Sequence, residues 1–410
     1  MSNTLFTNVN ILDGNAEGPV PGEVSVADGR IADIATGGEA LPREDHRVID
    51  GNGMTLMSGL CDAHTHFTWN SGGSLDALAG MPVEDHTIVA VESARILIDS
   101  GYTMCVGAAS AKERIDIAAR DAINAGMVPG PRYLACGQEL ATPAGVLVYG
   151  ITREVSGPDE MTRAVREMCG QGVDNIKLIL SGESITERVW AKDTYMTDEE
   201  VRAAVVEAHR VGKKVAAHAR STDSIKQCLR QGVDIIYHAS YIDDEAADMM
   251  EERRDDIFVA PGLHWLYATL YEAADFGYPQ EAAEAVGYKD ELEHSIIGLK
   301  EIHRRGVRVL PGGDYGFAWT PHGTNARDLQ HFVELLDFTP METIRSATVL
   351  GGEIFGRPDD LGRVAPGYLA DLLLVNGDPS SDITVLQDHD KLVGIMKDGK
   401  WHKDPAMAGM

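Results

Sequence analysis

Two histidines one residue apart, His64 and His66 in GLCDAHTH, can offer two imidazoles to one ion, because positions i and i+2 of a strand share a face. Four more polar residues fall in or at the ends of short apolar runs: Lys177 in NIKLILSG, His218 in KVAAHA, His238 in DIIYHA and Asp314 at the end of VRVLPGGD. Taken singly, a strand histidine is more often a hydrogen-bonded core residue than a ligand. Taken together, the six form a nitrogen- and oxygen-rich donor set that suits zinc, manganese, iron or nickel rather than calcium. Lys177 is the odd member. Lysine is almost never fully buried unless paired, an unpaired ammonium in an apolar interior is very costly, and an ammonium has no lone pair for a metal. A neutral amine, its pKa lowered by burial and by nearby cations, can instead add carbon dioxide. The resulting carbamate is an anion whose two oxygens can bridge two metals.

These residues need a scaffold that gathers strand ends. Eight short apolar runs recur: residues 59–64, 102–108, 132–137, 175–182, 214–219, 234–239, 257–262 and 307–312. Amphipathic stretches such as DEEVRAAVVEAHRVG separate them, and GQGVDNIKL and RQGVDIIYH both read as helix end, glycine, strand. Eight strands alternating with helices predict an α/β fold, a parallel (β/α)8 barrel of the TIM type, whose functional side chains collect at the C-terminal strand ends. The runner-up is an open doubly wound sheet, weakened by the lack of a GxGxxG opening a helix after the first strand. The chain ends differ from the middle. EVSVADGRIADI and VGIMKDGKWH each alternate around an Asp-Gly, a hairpin signal.

The 410 residues, 44% hydrophobic and 24% charged, are ordinary for a globular chain with a large core. Five scattered cysteines without a CxxC pair point to a reducing compartment. With no basic-then-apolar leader and no apolar run of membrane length, a cytoplasmic protein is expected. Sixty-four acidic against 36 basic side chains, a net charge of −28, argue against nucleic-acid or anionic-lipid partners. A small-molecule substrate and a homo-oligomer are the default expectations.

MSGLCDAHTH (57–66), Lys177, AAHA (216–219), YHAS (237–240), GGD (312–314) and GYLADLLLV (367–375) resemble the amidohydrolase superfamily over almost the whole chain. Within it the sequence is similar to the binuclear branch of prolidase-like dipeptidases, Xaa-Arg/Lys carboxypeptidases, and phenylurea and thiocarbamate hydrolases. The resemblance implies a metal-dependent barrel at 57–355 and a small β-sandwich from residues 1–56 and 356–410. It implies that His64, His66 and Asp314 hold one metal and His218 and His238 the other. Carboxylated Lys177 and a hydroxide would bridge them, zinc being the first choice of metal. The activity implied is hydrolysis of a C–N bond (amide, peptide-like, urea or carbamate), with Asp314 as general base and then acid. Ser58 replaces the proline usual before Gly59, and LATPAGVLVYG (140–150) lacks the substrate-facing histidine of several peptidase relatives.

For the substrate, Arg220 could clamp a carboxylate or carbonyl, or instead serve an ion pair behind the site. His264 and His322 could line the pocket, and Trp69 and Trp265 could stack on an aromatic group. Tyr237, adjacent to His238, is expected to face the helices. Three other readings remain: a mononuclear deaminase, told apart by metal content; a Lys177 Schiff-base enzyme, told apart by borohydride trapping; and a non-catalytic scaffold that binds no metal.

Overall fold

A computed structural model describes residues 3–186 and 189–408. All eight apolar runs form strands: β1 (Leu60–Thr65), β2 (Tyr102–Gly107), β3 (Arg132–Leu134), β4 (Asn175–Ile179), β5 (Lys214–Ala219), β6 (Ile235–His238), β7 (Phe258–Ala260) and β8 (Arg308–Val309). A helix follows each: α1 (Val83–Asp99), α2 (Ile115–Asn124), α3 (Gly157–Gln171), α4 (Asp198–Arg210), α5 (Thr222–Gln231), α6 (Asp244–Glu252), α7 (Tyr288–Arg304) and α8 (Arg327–Leu336). Local chemistry sets the boundaries. Thr197 and Glu200 form a reciprocal capping box at the start of α4, and Ser221 and Asp243 cap α5 and α6. Gly172 and Gly232, at φ 99° and 88°, end α3 and α5 in the left-handed conformation expected of them.

The strands are parallel but do not form one unbroken ladder. β1, β2 and β3 make one sheet; β4 to β8 make a second, with Leu140–Ala141 on the far edge of β4. Few backbone bonds join the sheets: Ala63 N–H donates to Pro311 O (3.0 Å), and the N–H groups of Asp174 (2.6 Å) and Asn175 (3.2 Å) share Ala135 O. Both seams have a chemical cause. Pro311, just beyond β8, has no N–H to donate. The amides of Cys136 and Gly137, just beyond β3, instead donate to the Asp116 carboxylate, each at 2.9 Å.

Side chains separate into two apolar layers. Ile176, Leu178, Val215, Ala217 and Ile236 pack outward into the core shared with the helices. Ala63, Met104, Val106, Ala216, Ile235, Phe258 and Leu310 pack against one another in a separate cluster on the inner side.

Eight strands from the two chain ends form one connected sheet, not the two sheets of a sandwich. Asn3–Leu12 pairs along its first half with His46–Asp50 and along its second with Thr55–Ser58, so one long strand connects what would otherwise be separate layers. Leu372–Val375 joins the C-terminal strands to Thr55–Ser58, with Leu374 opposite Leu56. Phe6, Val24, Ile31, Leu56, Leu372 and Met396 enclose an apolar core of their own. Both expected hairpins are present, with Asp28 and Asp398 at φ 50° and 52°. Among the described residues no helix is long and apolar enough to cross a membrane.

Candidate metal centre

On β4, Ile176 and Leu178 belong to the outer core, so Lys177 projects inward. Its register partner on β5 is Ala216, and His218, two residues further on, projects the same way. On β1 the ladder is irregular between Asp62 and Thr65, because the Asp62 carboxylate takes the His64 amide (2.9 Å) and Asn325 Nδ2 (2.7 Å). The break turns His64 inward even though Cys61 and Ala63 already face that way. Close approach of β8 to β1 completes the arrangement, since a Cβ on Gly312 would lie 2.7 Å from the His64 nitrogen. Asp314 then stands 2.9 Å from His66 Nε2 and 3.7 Å from His64 Nε2. Ligand atoms of these three buried residues all fall within 4.8 Å of one another. The His218 ring lies 4.4 Å from that of His238, and His238 lies 5.0 Å from His64.

His238 reaches this cluster through its backbone. Register pairs His218 with Tyr237, which places Tyr237 inward and would send His238 out to the helices. His238 and Ala239 instead adopt φ 69° and 50°, a conformation costly for non-glycine residues and concentrated at functional sites. Tyr237 therefore faces the interior, contrary to the alternation read from sequence. It stacks on His64 at 4.0 Å and lies 4.3 Å from Lys177 Nζ.

The donor chemistry fits metal ions. Burial pushes the His64, His218 and His238 imidazoles well down, toward the neutral form that ligates. The Nδ1 atoms of His64, His66 and His238 are buried without hydrogen-bond partners. Burial raises the Asp314 carboxyl, but His64, His66 and Arg220 outweigh it and hold it below the ordinary carboxylate range. Burial lowers the Lys177 ammonium, opposed by Glu139 and Asp314. Among the described residues Lys177 makes no hydrogen bond or ion pair, only the Tyr237 ring contact.

The remaining candidates divide. Trp69 stacks on His66 (4.4 Å) and lines the cavity with Trp265. Arg220 is 1% exposed, and its guanidinium holds Glu183 through Nη2 and Glu291 through Nη1 (2.7 Å). It does not line the cavity, so of its two sequence readings the ion pair describes its position. His264 is fully buried, with Nδ1 3.0 Å from His331 Nε2, and His322 Nε2 sits 3.1 Å from the carbonyls of His66 and Trp69. Neither lines the cavity.

Sequence reasoning passed over Glu183 and Glu139, both on the cavity wall. Glu183, in SGES directly after the β4 run, carried a readable signal: a carboxylate just past the C-terminal end of a barrel strand. Burial lifts it to about 7, against the pull of Arg220. The inner cavity, about 60 Å³, shares its wall with an outer one of about 220 Å³, where Leu75, Leu147, Val148, Ile185, Phe317 and Trp319 stand beside the polar Ser74, Asp76 and Thr186. No arginine lines either one among the described residues.

Comparison with known proteins agrees with this geometry. Residues 55–402 match the amidohydrolase family. The chain is 26% identical to an ochratoxinase of Aspergillus niger over 391 residues, covering 86% of this chain and 76% of the relative. A crystal structure of an amidohydrolase is similar at 28% identity and a TM-score of 0.88, covering 98% of this chain and 99% of the other. A Xaa-Pro dipeptidase with bound methionine is similar at 27% identity and a TM-score of 0.86, covering 98% of this chain and all of the other. A family match spanning most of the sequence, with hydrolases among the relatives, means that this chain belongs to the amidohydrolase family and is a metal-dependent hydrolase acting on C–N bonds.

Proposed function

We propose that the chain cleaves an amide or urea C–N bond of a small molecule at a binuclear centre. One ion would be held by His64, His66 and Asp314 and the other by His218 and His238, with a Lys177 carbamate between them. The observation that carries this reading is Lys177: a fully buried amine, pushed toward neutrality and lacking a polar partner among the described residues, set beside four imidazoles and a carboxylate. Carbon dioxide adds to the neutral amine, forming the N–C bond and releasing one proton; counted from the ammonium two protons leave, and a costly buried cation is replaced by an anion. Zinc is the first choice for this donor set.

When bound, a pair of divalent cations acidifies water and polarises a carbonyl oxygen. Asp314, held ionised beside His66, accepts the proton of the attacking water and returns it to the leaving nitrogen. His64, stacked on Tyr237, and His66, stacked on Trp69, are fixed in orientation by those rings. Aromatic walls without arginine, among the described residues, favour the amide and urea end of the C–N bond range.

The test is a hydrolysis screen of metal- and bicarbonate-loaded protein over amides, dipeptides, aryl ureas and carbamates, with metal counted by elemental analysis. Two ions per chain are expected, falling to one or none in Lys177→Ala. A single ion in the wild type would favour the mononuclear reading, which the compactness of the His64–His66–Asp314 group alone would satisfy.

A further inference from the structure

Glu183 stands on the cavity wall with Lys177, His218 and His238, held from behind by a buried cluster. Its Oε1 accepts the Tyr288 hydroxyl and its Oε2 the Arg220 guanidinium. Arg220 also donates to Glu291 (2.7 Å), whose Oε1 accepts the Ser240 hydroxyl (2.7 Å). Arg220 and Glu291 are each 1% exposed, and the guanidinium lies 5.3 Å from the Trp265 ring.

Two carboxylates against one guanidinium leave this cluster with a net charge of −1 when both are ionised. Turning Arg220 toward a substrate carboxylate would strip two buried carboxylates of their cation, and breaking one such buried pair already costs about 3–5 kcal/mol. The Arg220 charge is thus committed behind the wall, while the wall itself shows an acceptor in Glu183. Among the described residues each Glu183 oxygen has one side-chain partner, which leaves a second lone pair for a ligand.

Resting on the C–N hydrolase reading, we infer that Glu183 determines specificity. It accepts a hydrogen bond from a substrate N–H and turns away substrates that carry a carboxylate into the inner cavity. The substrate class is then an uncharged amide or urea with an N–H at the reacting end and an aromatic or branched apolar group. That apolar group fits the outer chamber of Leu75, Leu147, Val148, Ile185, Phe317 and Trp319.

The experiment compares N-benzoylphenylalaninamide with N-benzoylphenylalanine, which differ only in carboxamide against carboxylate. The metal-loaded enzyme is assayed at about pH 8.5, above the value to which burial lifts Glu183. The wild type should favour the carboxamide by about tenfold or more in kcat/KM. Glu183→Gln should shrink that ratio about tenfold, with the change read in the KM of the carboxylate compound rather than in its kcat relative to the carboxamide. The wild-type ratio holds whether or not the variant folds. A preference for the carboxylate compound, or an unaltered ratio in folded Glu183→Gln, overturns the inference and leaves the hydrolase reading standing. If neither compound nor any of the four bond types is cleaved by protein carrying two metals, both fall together.

Discussion

At the scale of single residues, the centre depends on groups that are expensive in isolation. Lys177 is tolerable inside a barrel only if it stops being a cation, and Asp314 only if imidazoles or metals share its charge. Asp314→Asn should keep bound metal, since the amide oxygen still ligates, yet lose kcat by about 10²–10⁴-fold. Metal analysis beside steady-state kinetics checks this, and near-wild-type turnover would remove Asp314 from the proton role. Arg220→Ala should act through stability instead. It leaves Glu183 and Glu291 buried without their cation, at a cost of about 3–5 kcal/mol, read as a lower midpoint in urea melts.

At the scale of elements, strand ends carry the candidate site residues and helix caps set the boundaries. The left-handed turn at His238 is the step that alternation along a strand does not foresee, because it depends on what β5 and β7 leave room for. Behind the site, His331 on α8 contacts His264 at 3.0 Å, and burial lowers the His331 imidazole to about 4 from an ordinary 6.5. Its neutral form is favoured in the folded state, so its contribution is complete above about pH 6.5 and is lost as pH falls toward about 4, up to on the order of 3 kcal/mol. Urea melts of the wild type and His331→Phe across that window check this, and the variant should show a shallower acid slope. Thr197→Ala, which removes the cap of α4, should cost about 1 kcal/mol, measured as a midpoint shift at unchanged kcat.

At the scale of the whole molecule, the chain closes on itself. Leu372–Val375 sits between Thr55–Ser58 and Leu392–Lys397, and Thr55–Ser58 runs directly into β1. The strand that begins the catalytic barrel is therefore braced by residues more than three hundred positions away. Truncation before Leu372 would expose Leu56 and Met57 along an unpaired edge. The expected outcome is aggregated protein without metal, checked by size-exclusion chromatography; a soluble, metal-loaded fragment would show that the end sheet is dispensable.

The eight strands, the helices between them, both hairpins and the gathering of six polar residues on one cavity were legible in the sequence. Hydrophobic period, caps, Asp-Gly turns and buried polar types are local properties of the chain. Tertiary structure decided the rest: the inward face of Tyr237, the turn that brings in His238, the seams where Pro311 and Asp116 interrupt the ladder, and the commitment of Arg220 to two carboxylates. Each depends on which partner occupies the neighbouring space. Arg220 shows why this matters. Its charge is written in the sequence, but whether it faces a ligand or is already neutralised is set by Glu183, just past β4, and Glu291, on α7.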